Sequence, residues 1–183
     1  MEAEAAAPGQ RRVFFALWPG AAVLHRLDQA GREAQQRCGG RRMRRETLHL
    51  TLAFIGNLPA QRISELEGIA GAIRAPEFEL ALDRIDWMAR KKIVWAAASK
   101  APEALLHLAA DLNLHLKAAD FRVEERPFAA HVTLLRNARC GGEKPEAAPV
   151  AWQVEDFVLV ESELKPEGAS YRIIGRWRLA DQT

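Results

Sequence analysis

One short phrase occurs twice in this chain, and both copies are written in the period of a β-strand. His49-Leu50-Thr51-Leu52 opens the stretch HLTLAFIG, and His131-Val132-Thr133-Leu134 opens HVTLLRNA. Alternate side chains of a strand share a face, so His49 and Thr51 point one way while Leu50 and Leu52 point the other. The same geometry sets His131 beside Thr133, with Val132 and Leu134 turned to the core. A lone His or Thr on the polar side of a half-buried strand is ordinary surface decoration. Two strands that each offer an imidazole and a hydroxyl on one face, and hold themselves by the other, constrain the fold much more.

The rest of the chain supplies elements around them. Arg11–Leu17 reads as a strand buried on both faces, because its apolar run is unbroken. Trp18-Pro19-Gly20 ends it, and Ala21–Arg37 carries Val23, Leu24, Leu27 and Ala30 at helical spacing before Gly39-Gly40. After the first motif, Ala60–Arg74 shows an apolar stripe of Ile63, Leu66, Ile69, Ala70 and Ile73. Phe78–Trp87 reads as one strand, turning through Arg90-Lys91-Lys92 into Ile93–Ala98. Pro102–Asp120 is a third helix with Leu105, Leu108, Leu112, Leu116 and Ala119 facing inward. Asn137–Pro149 is the clearest loop. Val154–Leu164 and Tyr171–Leu179 read as strands joined by a turn over Lys165–Ser170. The tally is α+β with mostly antiparallel pairing.

At 183 residues, with 49% hydrophobic and 27% charged residues, the chain can bury a substantial core. Met1–Gln10 is poor in bulky side chains and reads as a disordered leader, leaving 11–183 as the folded unit. No apolar run is long enough to span a membrane. Cys38 and Cys140 have no metal-binding spacing and follow no signal peptide, so they read as free thiols in a reducing cytoplasm. The net charge is only +2, so a nucleic-acid partner must be argued from where charges sit. The densest cluster is Arg41-Arg42-Met43-Arg44-Arg45, just upstream of His49. It is either a solvated loop or a grip on phosphates beyond the first, with Glu46 neutralising one arginine.

Two imidazoles facing one cleft make an acid–base pair, since histidine titrates near 6.5. Two threonine hydroxyls can donate to an anionic oxygen between them. That set suits phosphate-ester cleavage, where charge grows on non-bridging oxygens and a leaving alkoxide needs a proton. At these residues the chain resembles the 2H phosphoesterases, named for a pair of His-x-Thr/Ser motifs, and most of all their RNA 2′,3′-cyclic phosphodiesterase branch, also called 2′-5′ RNA ligases. The resemblance includes Arg12–Leu17, Leu48–Gly56, Ile93–Ala96, Arg126–Arg136 and Phe157–Leu164, with Gly168 and Tyr171 following. It departs at Ala130, where the family often has proline.

The resemblance implies a single bilobal domain: two mostly antiparallel sheets around a central cleft, helices outside, one motif strand from each half. It implies hydrolysis of an RNA 2′,3′-cyclic phosphate to a 2′-phosphate, with His49 as acid, His131 as base, and Thr51 and Thr133 on the non-bridging oxygens. With an RNA 5′-hydroxyl replacing water, the same site would form a 2′-5′ linkage. Neither metal nor cofactor is implied. The partners implied are cyclic-phosphate RNA ends, tRNA fragments among them, or small cyclic nucleotides, handled by a monomer. Two further positions carry over: Arg136 near phosphate and base, and Phe54 as a platform for the terminal base. Each lies five residues after its histidine, and strict alternation turns it to the opposite face. Either the chain bends after Leu52 and Leu134, or both side chains belong to the packing.

Three rival functions differ in what they require. A binding module for RNA ends would not need both histidines. A metallohydrolase would need acidic ligands, and Asp and Glu do not cluster at either motif. A phosphodiesterase for another cyclic or 2′-5′-linked nucleotide would use the same residues. His25, His107 and His115 read as helix-surface histidines.

Overall fold

Two four-stranded antiparallel sheets line a common cleft in the computed structural model, which describes residues 7, 9–141, 148–165 and 168–180. The first sheet contains β1 (Gln10–Leu17), β3 (Leu50–Pro59), β9 (Asp156–Lys165) and β10 (Gly168–Arg178), in the order β10-β9-β1-β3. The second contains β2 (Arg41–Arg42), β5 (Arg84–Met88), β6 (Ile93–Ala97) and β7 (His131–Arg136), in the order β2-β7-β6-β5. A separate two-stranded pair joins β4 (Phe78–Leu82) to β8 (Val150–Val154).

The helices are α1 (Ala21–Cys38), α2 (Ile63–Ala72) and α3 (Glu103–Ala118). They bind the two halves together by crossing over. α1 leaves the first sheet yet packs on β7 and β8, while α3 leaves the second sheet and packs on β3 and α2. The leucine stripe explains why α3 stays there: Leu105, Leu108, Leu112 and Leu116 are at most 1% exposed. Burying each such side chain is worth about 1.5–3 kcal/mol. One continuous apolar core therefore runs beneath both sheets.

β1 serves two cores at once. Val13, Phe15 and Leu17 enter the main core, whereas Phe14 and Ala16 join Val158 and Val160 in a second, small cluster against Trp18 and Tyr171. Phe14 and Tyr171 also line the cleft.

Several expectations are corrected. Phe78–Trp87 is not one strand. It breaks at Asp83, whose carboxylate accepts the Ser99 backbone N–H at 2.7 Å and the Ser99 hydroxyl, so the chain passes from pairing with β8 to pairing with β6. The expected Val154–Leu164 strand likewise divides at Glu155, and β8 ahead of it is additional. Cys38 and Cys140 are not free thiols but form a disulfide, with Cα atoms 4.1 Å apart. Pairing of β2 with β7 carries the two chain segments together, and the thiols no longer argue for a reducing compartment. Of the expected leader, Gln10 already belongs to β1 and the Gly9 carbonyl accepts the Ala60 N–H at 3.1 Å. Residues 1–6 and 8 lie outside the described residues, as do 142–147 of the loop and 166–167 of the last turn. Among the described residues, no helix is long and apolar enough to cross a membrane.

Candidate active site

The parity of Phe54 and Arg136 is resolved by two matching irregularities. Across β1 and β3, Ala16 pairs with Thr51 and Phe15 with Ala53, so Leu52 is the extra residue. Across β6 and β7, Trp95 pairs with Thr133 and Val94 with Leu135, so Leu134 is the extra residue. A bulge at the same place in each motif inserts one residue and reverses the alternation beyond it. His49, Thr51 and Phe54 then share the cleft, as do His131, Thr133 and Arg136.

Both histidines are fixed the same way. His49 Nδ1 lies 2.7 Å from the Thr47 carbonyl oxygen, and His131 Nδ1 lies 2.8 Å from that of Ala129. A carbonyl only accepts, so each Nδ1 carries the proton and donates it. With Nδ1 committed to that hydrogen bond, Nε2 is the atom each ring presents for chemistry, a lone pair in the neutral form and an N–H in the protonated form.

Their surroundings differ. His49 is stacked on Trp18, with ring centroids 5.3 Å apart and planes 4° apart. Phe14 lies 4.9 Å from it and Tyr171 meets it edge-on at 5.2 Å. Burial in this aromatic box penalises the charged ring and lowers the His49 pKa to about 4, and the nearby positive charges of His131 and Arg136 push the same way. The Thr47 carbonyl opposes the shift without cancelling it. His49 is thus neutral at pH 7. His131 meets Trp95, at 5.5 Å, as its one aromatic neighbour among the described residues.

The cleft between the sheets encloses about 570 Å³. Thr51 and Thr133 line it from opposite sheets, and four arginines (Arg12, Arg41, Arg44 and Arg136) surround them, with no carboxylate in the lining among the described residues. Phe54 is 39% exposed here, with the Arg12 guanidinium 4.8 Å over its ring. The arginine cluster divides. Arg41 and Arg44 face the cleft. Arg42 turns to Asp28 of α1 at 3.6 Å, and Arg45 donates to the Ala21 carbonyl at 3.0 Å. Arg44 donates to the Ala169 carbonyl at 2.6 Å and lies 3.6 Å from Glu46, the neutralising acid anticipated for this run. Among the described residues, no group of three or more His, Cys, Asp or Glu side chains is arranged to hold a metal ion.

His107 and His115 stay on the surface of α3, near Glu103 and Asp111, and His25 is exposed on α1. Residues that sequence reasoning passed over are Trp18, Phe14, Arg12 and Trp95. Trp18 had a signal: Leu17, the last residue of β1, pairs with Leu50, so the residue after the strand must fall opposite His49. Reading that signal requires knowing that these two strands are partners.

Two similar half-sites on two antiparallel sheets, each presenting a histidine and a threonine to one arginine-lined cleft, define a two-histidine phosphoesterase. The chain matches the LigT-like phosphoesterase family over 18–95 and 97–171, and it belongs to that family. It is 33% identical to the RNA 2′,3′-cyclic phosphodiesterase of Escherichia coli (strain K12) over 141 residues, covering 76% of this chain and 80% of that protein. It is 30% identical to the enzyme of the same name from Thermus thermophilus, covering 92% of this chain and 90% of that protein. The crystal structure of E. coli LigT complexed with 3′-AMP superposes with a TM-score of 0.84 at 30% identity, covering 93% of this chain and 98% of that one.

Proposed function

We propose that this enzyme opens the 2′,3′-cyclic phosphate at an RNA end, leaving a 2′-phosphate and a free 3′-hydroxyl. The observation that carries the reading is the meeting of two His-x-Thr strands, from different sheets, in one cleft rich in arginine. The names of the E. coli and Thermus relatives support the substrate class. The 3′-AMP bound to E. coli LigT supports nucleotide binding in this fold.

With burial holding His49 neutral, we assign it the base and His131, in its protonated form, the acid, where the resemblance implies the opposite order. His49 Nε2 takes a proton from water as the water oxygen bonds to phosphorus. The bond from phosphorus to O3′ breaks, and His131 Nε2 delivers its proton to O3′. The Thr51 and Thr133 hydroxyls donate to the non-bridging oxygens, whose negative charge grows at that moment. Arg136 and Phe54 orient the terminal ribose and base so that O3′ lies in line with the attacking water. With an RNA 5′-hydroxyl in place of that water, the same steps join two ends through a 2′-5′ linkage, O3′ again leaving with the proton. The chain from β1 onward works as one bilobal, monomeric unit.

The test is product analysis on an RNA bearing a terminal 2′,3′-cyclic phosphate. A product that resists a 3′-specific phosphatase, with the phosphorus NMR signature of a 2′-monoester, is expected. A 3′-phosphate as main product would overturn the orientation, and an unchanged substrate would overturn the activity.

A further inference from the structure

Strand β2 is only two residues long, and its first residue is set against a like charge. Arg41 pairs directly with Arg136 across β2 and β7. Like charges opposite one another on an antiparallel pair are destabilising, since their Cβ atoms lie only about 4.5–5.5 Å apart. Among the described residues, nothing relieves the repulsion. Among the described residues, neither the Arg41 nor the Arg136 side chain has a hydrogen-bond or ion-pair partner, whereas those of Arg42, Arg44 and Arg45 each have at least one. Both side chains line the cleft, where no carboxylate lies among the described residues.

The fold fastens this edge on both sides of the repelling pair. On one side the Met43 N–H donates to the Leu134 carbonyl at 2.8 Å. On the other the Arg139 N–H donates to the Cys38 carbonyl at 2.8 Å, and the Cys38–Cys140 disulfide closes the end. Gly40 permits the approach, because a Cβ there would meet the backbone of Ala138 and the Arg136 carbonyl at 2.8 Å. Gly168 stands across from Arg41, and a Cβ added to it would come within 3.9 Å of Nη1. Two guanidinium groups held together, unneutralised, and open to a cleft form a seat for an anion between them.

The anion's place follows from β7. His131 and Thr133 occupy the start of the strand and Arg136 its end. Three residues of strand at about 3.3 Å each carry Arg136 on the order of 7–10 Å beyond Thr133. That is the scale of one step along an extended nucleic-acid strand, so the seat lies beside the reacting phosphate and not on it. We propose that Arg41, paired with Arg136, holds the phosphodiester immediately upstream of the terminal nucleotide. The inference rests on the cyclic-phosphodiesterase reading and deepens it: the enzyme prefers an oligonucleotide end to a lone cyclic nucleotide.

The experiment compares wild type, Arg41→Gln and Arg41→Lys on two substrates: a trinucleotide ending in a 2′,3′-cyclic phosphate, and a single nucleoside 2′,3′-cyclic phosphate. Arg41→Gln should lower kcat/KM on the trinucleotide about tenfold more than on the mononucleotide, through KM. The salt dependence of log affinity should become shallower by about 0.7, the contribution of one phosphate contact on a single strand. Arg41→Lys should recover part of the loss, keeping the charge but not the fork. An equal loss on both substrates would put Arg41 at the reacting phosphate and overturn the proposal; no loss on either would make it a solvated side chain. Titration with the 2′-phosphorylated trinucleotide reads the same seat without turnover. Wild-type inactivity on both substrates would therefore strike the reaction, while the seat stands or falls on that affinity.

Discussion

At the scale of single residues, the two histidines share a motif and a carbonyl partner but not an environment. His49 stacks on Trp18 and is closed in by Phe14 and Tyr171, while His131 meets Trp95. Replacing either histidine with alanine should cut turnover by roughly 10²–10⁴-fold with the fold retained, the usual reach of general acid–base catalysis. Near-normal turnover in a folded variant would remove that histidine from the reaction. The pH profile separates the roles. With His49 as base and a pKa of about 4, kcat/KM should fall on the acid side only as pH drops through about 4. If His49 were the acid, kcat/KM would instead decline as pH rises above that value. Trp18→Leu opens the ring to water, weakens the desolvation that dominates the shift, and should move the acid limb upward towards 6.5. An unmoved limb would mean that stacking orients the ring without tuning it.

Individual elements show what the sequence makes legible and what it leaves hidden. The three helices fall where their apolar stripes put them, because a helix that buries Leu105, Leu108, Leu112 and Leu116 must show that period. Both His-x-Thr strands are equally plain. The break at Asp83 is not, because it depends on Ser99, a residue just past the far end of β6. The bulges at Leu52 and Leu134 are detectable only as a conflict, in which Phe54 and Arg136 look useful but sit on the wrong parity. The disulfide is invisible because Cys38 and Cys140 are 102 positions apart and only the β2–β7 pairing joins them. Closing so long a loop constrains the unfolded chain, so Cys140→Ser should lower stability by about 2–4 kcal/mol in denaturant melts under non-reducing conditions. Equal stability of the variant and wild type would show that the β2–β7 edge holds itself without the bond.

At the scale of the whole molecule, the two sheets share one core because each is covered by a helix from the other half. Local protonation is therefore felt as global stability, and two groups set its windows. His49 has a pKa of about 4 in the native state and near 6.5 when unfolded. Between those values the unfolded chain binds a proton that the native site refuses. Stability must then fall as pH falls from about 6.5 to about 4, by up to about 3 kcal/mol. Glu161 works in the next window. Hydrogen bonds from Arg11, and then Arg172, hold its pKa at about 2 against an ordinary 4.5, tying β1 and β10 to β9. Its contribution is fully present above 4.5 and is lost as pH falls through about 2. Denaturant melts at closely spaced pH values should resolve the two windows. His49→Gln should flatten the upper one and leave the lower intact. Glu161→Gln should do the reverse, with lower stability at pH 7, because two arginines lose their shared carboxylate. Parallel slopes for wild type and His49→Gln between pH 6.5 and 4 would mean that the aromatic box does not keep the ring uncharged, and the assignment of His49 as the base would fall with it.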